Sequence, residues 1–115
     1  MQGIVDVNGI ERAAAPARES LSLSVCAATR GDSTILPAVL ELLRPIATEI
    51  IVALDDRAEA AASRLASAAD SVLLFPHREP GDWIIPWLHA QCDGRWILNL
   101  DDDEVPSLRL LEELP

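Results

Sequence analysis

The chain has 115 residues, half of them apolar, which is enough for one domain with a packed core. Its formal net charge of −10 argues against a nucleic-acid partner, because phosphate backbones are bound by clustered lysine and arginine. No apolar run approaches the ~20 residues of a membrane span, and residues 1–20 lack the apolar segment of a signal peptide. The chain has two cysteines and no CxxC pair, which favours a reduced compartment. We therefore expect a cytoplasmic protein, and from the short apolar runs we expect no membrane span.

The chain divides into an N-terminal arm, residues 1–20, and a patterned region, residues 21–115. The arm carries little pattern, although residues 3–10 are compatible with a short strand. Alternating or continuous apolar runs predict strands at 21–27, 49–54, 71–75 and 96–100. Helical spacing of apolar residues predicts helices at 35–43, 58–69, 83–92 and 107–114. Pro37 is compatible with a helix that begins at Ile35 or Leu36, and Asp82 is a candidate cap for the third helix.

Strands that alternate with helices of about ten residues predict a parallel sheet, since each connection is long enough for a right-handed crossover. We therefore predict an α/β fold with a doubly wound, mainly parallel sheet and helices on both faces. In such sheets the ligand lies beyond the carboxyl ends of the strands. Three polar clusters follow predicted strands, at residues 29–32, 55–57 and 101–104.

The third cluster consists of four adjacent acids, Asp101, Asp102, Asp103 and Glu104. Adjacent carboxylates repel one another unless solvent or a cation screens them, and their oxygens suit Mg²⁺ or Mn²⁺. Residues i and i+2 of a strand-end loop can face the same way, so Asp101 and Asp103 are candidate metal ligands, with Asp102 turned aside. The alternative is that these acids complement the dipole of the following helix while lying in water.

The other two clusters are less specific. Asp55 and Asp56 end the second long strand, where a carboxylate in nucleotide-binding folds often meets a ribose hydroxyl or a base. The alternative is that one of these two acids caps the helix predicted at residues 58–69. Thr29 and Arg30 end the first strand, and Arg78 lies in a loop at the same edge, where its guanidinium is suited to a diphosphate. The absence of Walker A and GxGxxG sequences argues against P-loop and dinucleotide-binding proteins.

Taken in order, three segments resemble family 2 glycosyltransferases. Residues 23–30 are similar to their opening strand with its Pro-Thr-Arg-Asn type turn, and residues 49–56 to their second strand with its Asp-Asp-Gly-Ser ending. Residues 94–104 are similar to the glycine, strand and Asp-x-Asp-Glu signature, which is the most specific of the three. The sequence departs from the family at Gly31, where an Asn is usual, and at Arg57 and Ala58, which replace Gly-Ser.

The resemblance implies the sugar-nucleotide-binding, Rossmann-like half of a GT-A domain that acts on a UDP- or GDP-sugar. Asp101 and Asp103 would hold Mg²⁺ or Mn²⁺ against the diphosphate, and the metal would act as a Lewis acid toward the leaving group. Residue types, positions and resemblance together give a set of candidate donor-binding residues: Thr29, Arg30, Asp55, Asp56, Arg78 and Asp102.

In the family, the acceptor-binding half and the catalytic base follow the position of Pro115. We therefore expect a C-terminally truncated domain without its catalytic base, an unknown acceptor, and self-association through an exposed sheet edge. Two other classes remain open. One is a Mg²⁺-binding, receiver-like signalling module, although the first strand ends in Thr29 and Arg30 rather than in acids and the chain has no lysine. The other is a sugar-phosphate nucleotidyltransferase-like domain, which usually opens with a basic, glycine-rich loop.

Overall fold

A computed structural model describes residues 3–6, 22–78 and 81–113 of the chain. The strands in this part are β1 (Gly3–Asp6), β2 (Leu23–Thr29), β3 (Glu49–Asp55), β4 (Ser71–Phe75) and β5 (Trp96–Asp101). The helices are α1 (Leu36–Leu43), α2 (Ala62–Ala66), α3 (Ile84–Ala90) and α4 (Leu108–Glu113), with a 3₁₀ helix (Asp56–Ala61) directly before α2.

The strands form one sheet in the order β1-β5-β2-β3-β4. Strands β2, β3, β4 and β5 are parallel to one another, and β1 pairs antiparallel with β5. This arrangement confirms the predicted α/β class with a mainly parallel sheet. Of the strand predicted at 3–10, the described part is Gly3–Asp6; the rest of the predicted N-terminal arm lies outside the described residues.

Successive residues of the strands enter two separate apolar clusters, as expected when side chains alternate between the faces of a sheet. Val25 and Ala27 of β2 belong to the first cluster, while Cys26, between them, belongs to the second. Helices α1 and α2 contribute to the first cluster, and α3 contributes Leu88 to the second. Strand β3 is buried from Ile50 onward, as its continuous apolar sequence predicts.

Two predicted helices differ from the structure. The helix predicted at 58–69 is a 3₁₀ helix followed by the short helix α2, and Ala58 has non-helical backbone angles (φ −110°, ψ 29°). The side chain of Asp55 accepts a hydrogen bond from the Arg57 amide, which favours a tight turn at this point. Helix α3 begins at Ile84 with Trp83 at its N-cap and no side-chain cap, so the predicted capping role of Asp82 is wrong.

Other helix features agree with the sequence. Helix α1 begins at Leu36 and places Pro37 in its first turn, where a missing amide hydrogen leaves no hydrogen bond unmade. Within the described residues, no helix is both long enough and apolar enough to cross a membrane.

The amino ends of β2, β3 and β5 are joined by a polar network around Gly94. The Gly94 amide donates to Ser24 Oγ at 2.7 Å, and Ser24 Oγ donates to a carboxylate oxygen of Glu49. A Cβ atom on Gly94 would lie 2.6 Å from the Ser24 backbone nitrogen, closer than packed atoms allow. This close backbone approach explains the glycine before β5 and fixes the end of the sheet opposite the polar clusters.

Candidate functional site

The polar clusters meet at a cleft of about 350 Å³ at the carboxyl edge of the sheet. Four parallel strands reach it: Thr29 ends β2, Asp55 ends β3, Phe75 ends β4, and Asp102 follows β5. The complete lining is Ala28, Thr29, Arg30, Asp32, Asp55, Phe75, His77, Arg78, Gly81, Ile84 and Asp102. The structure therefore brings together five of the six candidate donor-binding residues; Asp56 is not among the lining residues.

A hydrogen bond joins the first and third clusters across the cleft floor. Thr29 Oγ1 donates to Asp102 Oδ2 at 2.7 Å and accepts from the Gly31 amide at 3.0 Å. Ser33 Oγ donates to the backbone carbonyl of Asp102. Gly31 has φ of 90°, a left-handed conformation that favours glycine, and its turn returns the chain toward Asp102. These contacts fix the loop after β5 against the loop after β2.

Asp55 is buried at the centre of the site, with 2 % of its surface exposed. Oδ1 accepts hydrogen bonds from the amide and Nε of Arg57, at 2.9 and 3.2 Å. Oδ2 accepts from Arg57 Nη2 at 3.3 Å and lies 2.8 Å from His77 Nδ1. The Arg57 guanidinium, the Arg57 amide and His77 hold the pKa of Asp55 well below its usual range. Asp55 is therefore ionised at neutral pH despite its burial.

His77 is a cleft residue that was not predicted from the sequence as a binding residue. Its ring contacts Asp55 and lines the cleft, with 29 % of the side chain exposed. Its backbone amide donates to Asp56 Oδ1 at 3.4 Å, so Asp56 holds the loop after β4 instead of lining the cleft. Only its position in the sequence indicated that His77 lies in the cleft, because it follows a predicted strand at the same edge of the sheet as the acids.

Two arginines border the cleft. Arg78 lies over the ring of Trp83, with its guanidinium carbon 4.4 Å from the ring centroid, and Trp83 packs edge to face on Phe75. The cation–π contact gives Arg78 a preferred position beside the cleft. Arg30, directly after Thr29, is exposed and also lines the cleft. The cleft thus combines cationic side chains with the apolar surface of Phe75 and Ile84.

A second cavity of about 410 Å³ adjoins the first and is lined by Asp32, Ser33, Thr34, Ile35, Asp102 and Asp103. Asp102, which we expected to turn aside, lines both cavities. Asp101 lines neither, and its side chain is exposed.

The predicted metal ligands, Asp101 and Asp103, do not line the same cavity. In the described part of the chain, no three His, Cys, Asp or Glu side chains converge in a way that could hold a metal ion. Mg²⁺ bound beside a nucleotide, however, needs only one or two carboxylates, since substrate phosphates and waters complete its coordination. Asp102 and Asp103, which share the second cavity, meet that smaller requirement in ligand type and number.

A separate polar group lies beneath α3. His89 Nε2 is 3.1 Å from Asn99 Oδ1, which also accepts a hydrogen bond from the Cys26 thiol at 3.5 Å. A hydrogen bond with Cys92, together with burial, raises the pKa of Cys26 far above its ordinary value. None of these four residues lines either cavity, so this group is part of the core rather than of the site.

Comparisons of the chain with protein-family models, with curated proteins and with solved structures gave no match. Thr29, Asp55 and Asp102, one from each of the three sequence segments, nevertheless line one cleft.

Proposed function

We propose that this chain is the sugar-nucleotide-binding portion of a family 2-like glycosyltransferase. It binds a UDP- or GDP-sugar together with Mg²⁺ or Mn²⁺, for transfer of the sugar to an acceptor. The observation that carries the proposal is the convergence of Thr29, Asp55 and Asp102 on one cleft. These residues come from the three segments that resemble the family, and they are separated by up to 73 positions in the chain.

The topology supports a doubly wound, Rossmann-like arrangement of the GT-A type. The first two connections, through α1 and α2, lead to neighbouring strands on one side of β2. The third, through α3, leads from β4 back to the other side of β2, and α3 packs into a different cluster from α1 and α2. The strand order therefore reverses between β2 and β5, and such switch points are where nucleotides bind in open parallel sheets.

The cleft has suitable chemistry for a nucleoside diphosphate. Its volume falls within the usual range of small-molecule sites, about 300–1,000 Å³. Phe75 and Ile84 supply an apolar wall for a planar base, and Arg30 and Arg78 supply cations for phosphate oxygens. Asp55 is already neutralised by Arg57, so it adds no unpaired negative charge against the ligand.

The metal is proposed at the acids that follow β5. Asp103, with Asp101 or Asp102, provides hard oxygen ligands next to the cleft. When bound, the metal supplies charge neutralisation for the diphosphate. The protein residues position the nucleotide: the Thr29–Asp102 hydrogen bond and the Gly31 turn set the spacing between the acid loop and the base-binding wall.

Isothermal titration calorimetry tests the proposal. The folded chain is titrated with UDP and GDP, each with Mn²⁺, with Mg²⁺ and with a chelator. We expect binding that is tighter with metal. Absence of binding for both nucleotides, or binding unaffected by metal, in a sample shown to be folded by circular dichroism contradicts it.

A further inference from the structure

Asp55 has no unused position from which to contact a ligand. Four donors reach its two oxygens, three from Arg57 and one from His77. The side chain is 3 % exposed. A direct contact between Asp55 and a nucleotide would require one of these hydrogen bonds to be broken inside a buried site, which is costly.

His77 and Asp55 both line the cleft, and the side chain of His77 is far more exposed than that of Asp55. An ionised carboxylate only accepts hydrogen bonds, so the ring nitrogen that faces it, Nδ1, carries the proton. The backbone amide of His77 is held by Asp56, and the ring is held by Asp55, so the side chain has a defined orientation. It shares the cleft wall with Phe75 and Ile84, the apolar surface suited to a base.

We propose that His77 is the side chain that contacts the nucleobase in this cleft, and that Asp55 is a positioning residue that acts on the ligand through His77. The inference depends on the proposed function for the identity of the ligand. In this arrangement the nucleobase contacts His77, which follows β4, and does not contact Asp55, which ends β3.

Nuclear magnetic resonance of the histidine rings provides a direct test, because the chain has only two histidines. His89, which bonds to Asn99 and lines neither cavity, is the internal control. In a sample with ¹⁵N-labelled rings, the free protein should show the Nδ1-protonated form of His77. Saturating UDP or GDP with Mg²⁺ should shift the His77 ring signals and leave those of His89 unchanged. Pyrophosphate or ribose 5-phosphate with Mg²⁺, which lack the base, should leave both rings unchanged.

The positioning role of Asp55 is tested by a double-mutant cycle with His77→Ala, Asp55→Asn and the double variant. We expect each single variant to bind the nucleotide about tenfold more weakly, the loss of roughly one hydrogen bond to a ligand. We expect the double variant to bind no more weakly than His77→Ala alone, because Asp55 acts only through the ring. His89→Asn should bind as the wild type does. Unchanged His89 ring signals in the two single variants and the double variant show that the fold is retained, and circular dichroism shows it for His89→Asn.

The outcomes separate this inference from the proposed function. If no nucleotide binds the wild type, both fail. If nucleotide binds with metal but the His77 ring does not shift, or if the two single variants have additive effects, the proposed function stands and the role of His77 is wrong. Equal shifts with ribose 5-phosphate would also overturn it, by placing the ribose at this side chain.

Discussion

Thr29 and Asp102 are joined by a 2.7 Å hydrogen bond that links the ends of two adjacent parallel strands at the floor of the cleft. Thr29 is 4 % exposed, and removing its hydroxyl takes away the hydrogen bonds that it makes with Asp102 Oδ2 and with the Gly31 amide. We expect Thr29→Val to lower the free energy of unfolding by about 1 kcal/mol and to weaken nucleotide binding. Urea denaturation and calorimetry measure the two effects. Thr29→Ser should restore both, and a Thr29→Val variant with wild-type affinity would contradict a role for this bond in the site.

Asp103 is exposed among neighbouring acids, so its charge is expected to matter for metal binding more than for folding. We expect Asp103→Asn to abolish the metal-dependent part of nucleotide binding. Thermal stability without ligand should stay the same or rise, because one repulsive charge is removed. Calorimetry and thermal melts check this, with Glu41→Gln on the exposed side of α1 as the matched charge control. A large loss of stability would instead identify Asp103 as a structural acid of the loop before α4.

Gly94 is the glycine of the segment with the most specific resemblance, and the structure gives it a packing role. A Cβ atom there would lie 2.5 Å from Ser24 Oγ and 2.6 Å from Ser24 N. We expect Gly94→Ala to destabilise the fold by about 1–3 kcal/mol, since backbone must move to relieve the contact. Gly81→Ala is the control, because its Cβ would meet only Ile84 Cδ1 at 3.3 Å. Equal urea midpoints for the two variants would be inconsistent with this packing.

The ion pair at Asp55 predicts acid sensitivity. Arg57 and His77 lower the pKa of Asp55 in the folded chain, so the unfolded chain takes up this proton first as the pH falls. The stabilisation is complete well above the unfolded pKa of about 3.9 and decreases as the pH falls below that value. Asp70, whose pKa is lowered by Arg44 and by the Ile50 amide, contributes with the same sign.

Urea midpoints measured from pH 7 to pH 3 check this dependence. As the pH falls, the urea midpoint of Asp55→Asn should decrease less steeply than that of the wild type. The midpoint of Asp70→Asn should differ from the wild type in the same direction but by less. Glu41→Gln should follow the wild-type curve. An acid profile of Asp55→Asn that parallels the wild type would show that the Asp55 pairing does not stabilise the fold.

Strand β4 is at one end of the described sheet and carries Leu74, which is 42 % exposed. An unpaired strand edge with an apolar side chain favours association between chains. We expect concentration-dependent self-association in light scattering, and we expect Leu74→Lys to reduce it. Leu42→Lys is the control, because Leu42 is also exposed but lies on α1. A wild-type chain that stays monomeric at all concentrations, or equal effects of both variants, would contradict association through this edge.

The sequence predicts most of the fold because its signals are local. The continuous apolar run of β3 and the position of Pro37 define their elements without knowledge of the rest of the chain. The 3₁₀ helix was missed because alanine favours a regular helix, whereas the hydrogen bond from the Arg57 amide to Asp55 tightens the turn.

The sequence predicts that the polar residues of the site meet at one edge of the sheet, but not which of them contact one another. The rule that ligands bind at the carboxyl edge places Thr29, Asp55 and Asp102 together, and the structure agrees. The partnership of Asp55 with His77 depends on β3 and β4 being neighbours, which the sequence does not specify. The orientation of the Asp102 side chain likewise depends on its hydrogen bond with the hydroxyl of Thr29, which lies 73 positions earlier in the chain.

The antiparallel pairing of β1 with β5 has a consequence for local opening. It gives residues 96–99 of β5 a neighbouring strand on either side, because they pair with β1 as well as with β2. On β4, every second amide points away from β3. Hydrogen exchange should therefore be slow at residues 96–99 and fast at alternate positions of β4. The strand that leads into the acid loop is thus held most firmly at its four amino-terminal residues.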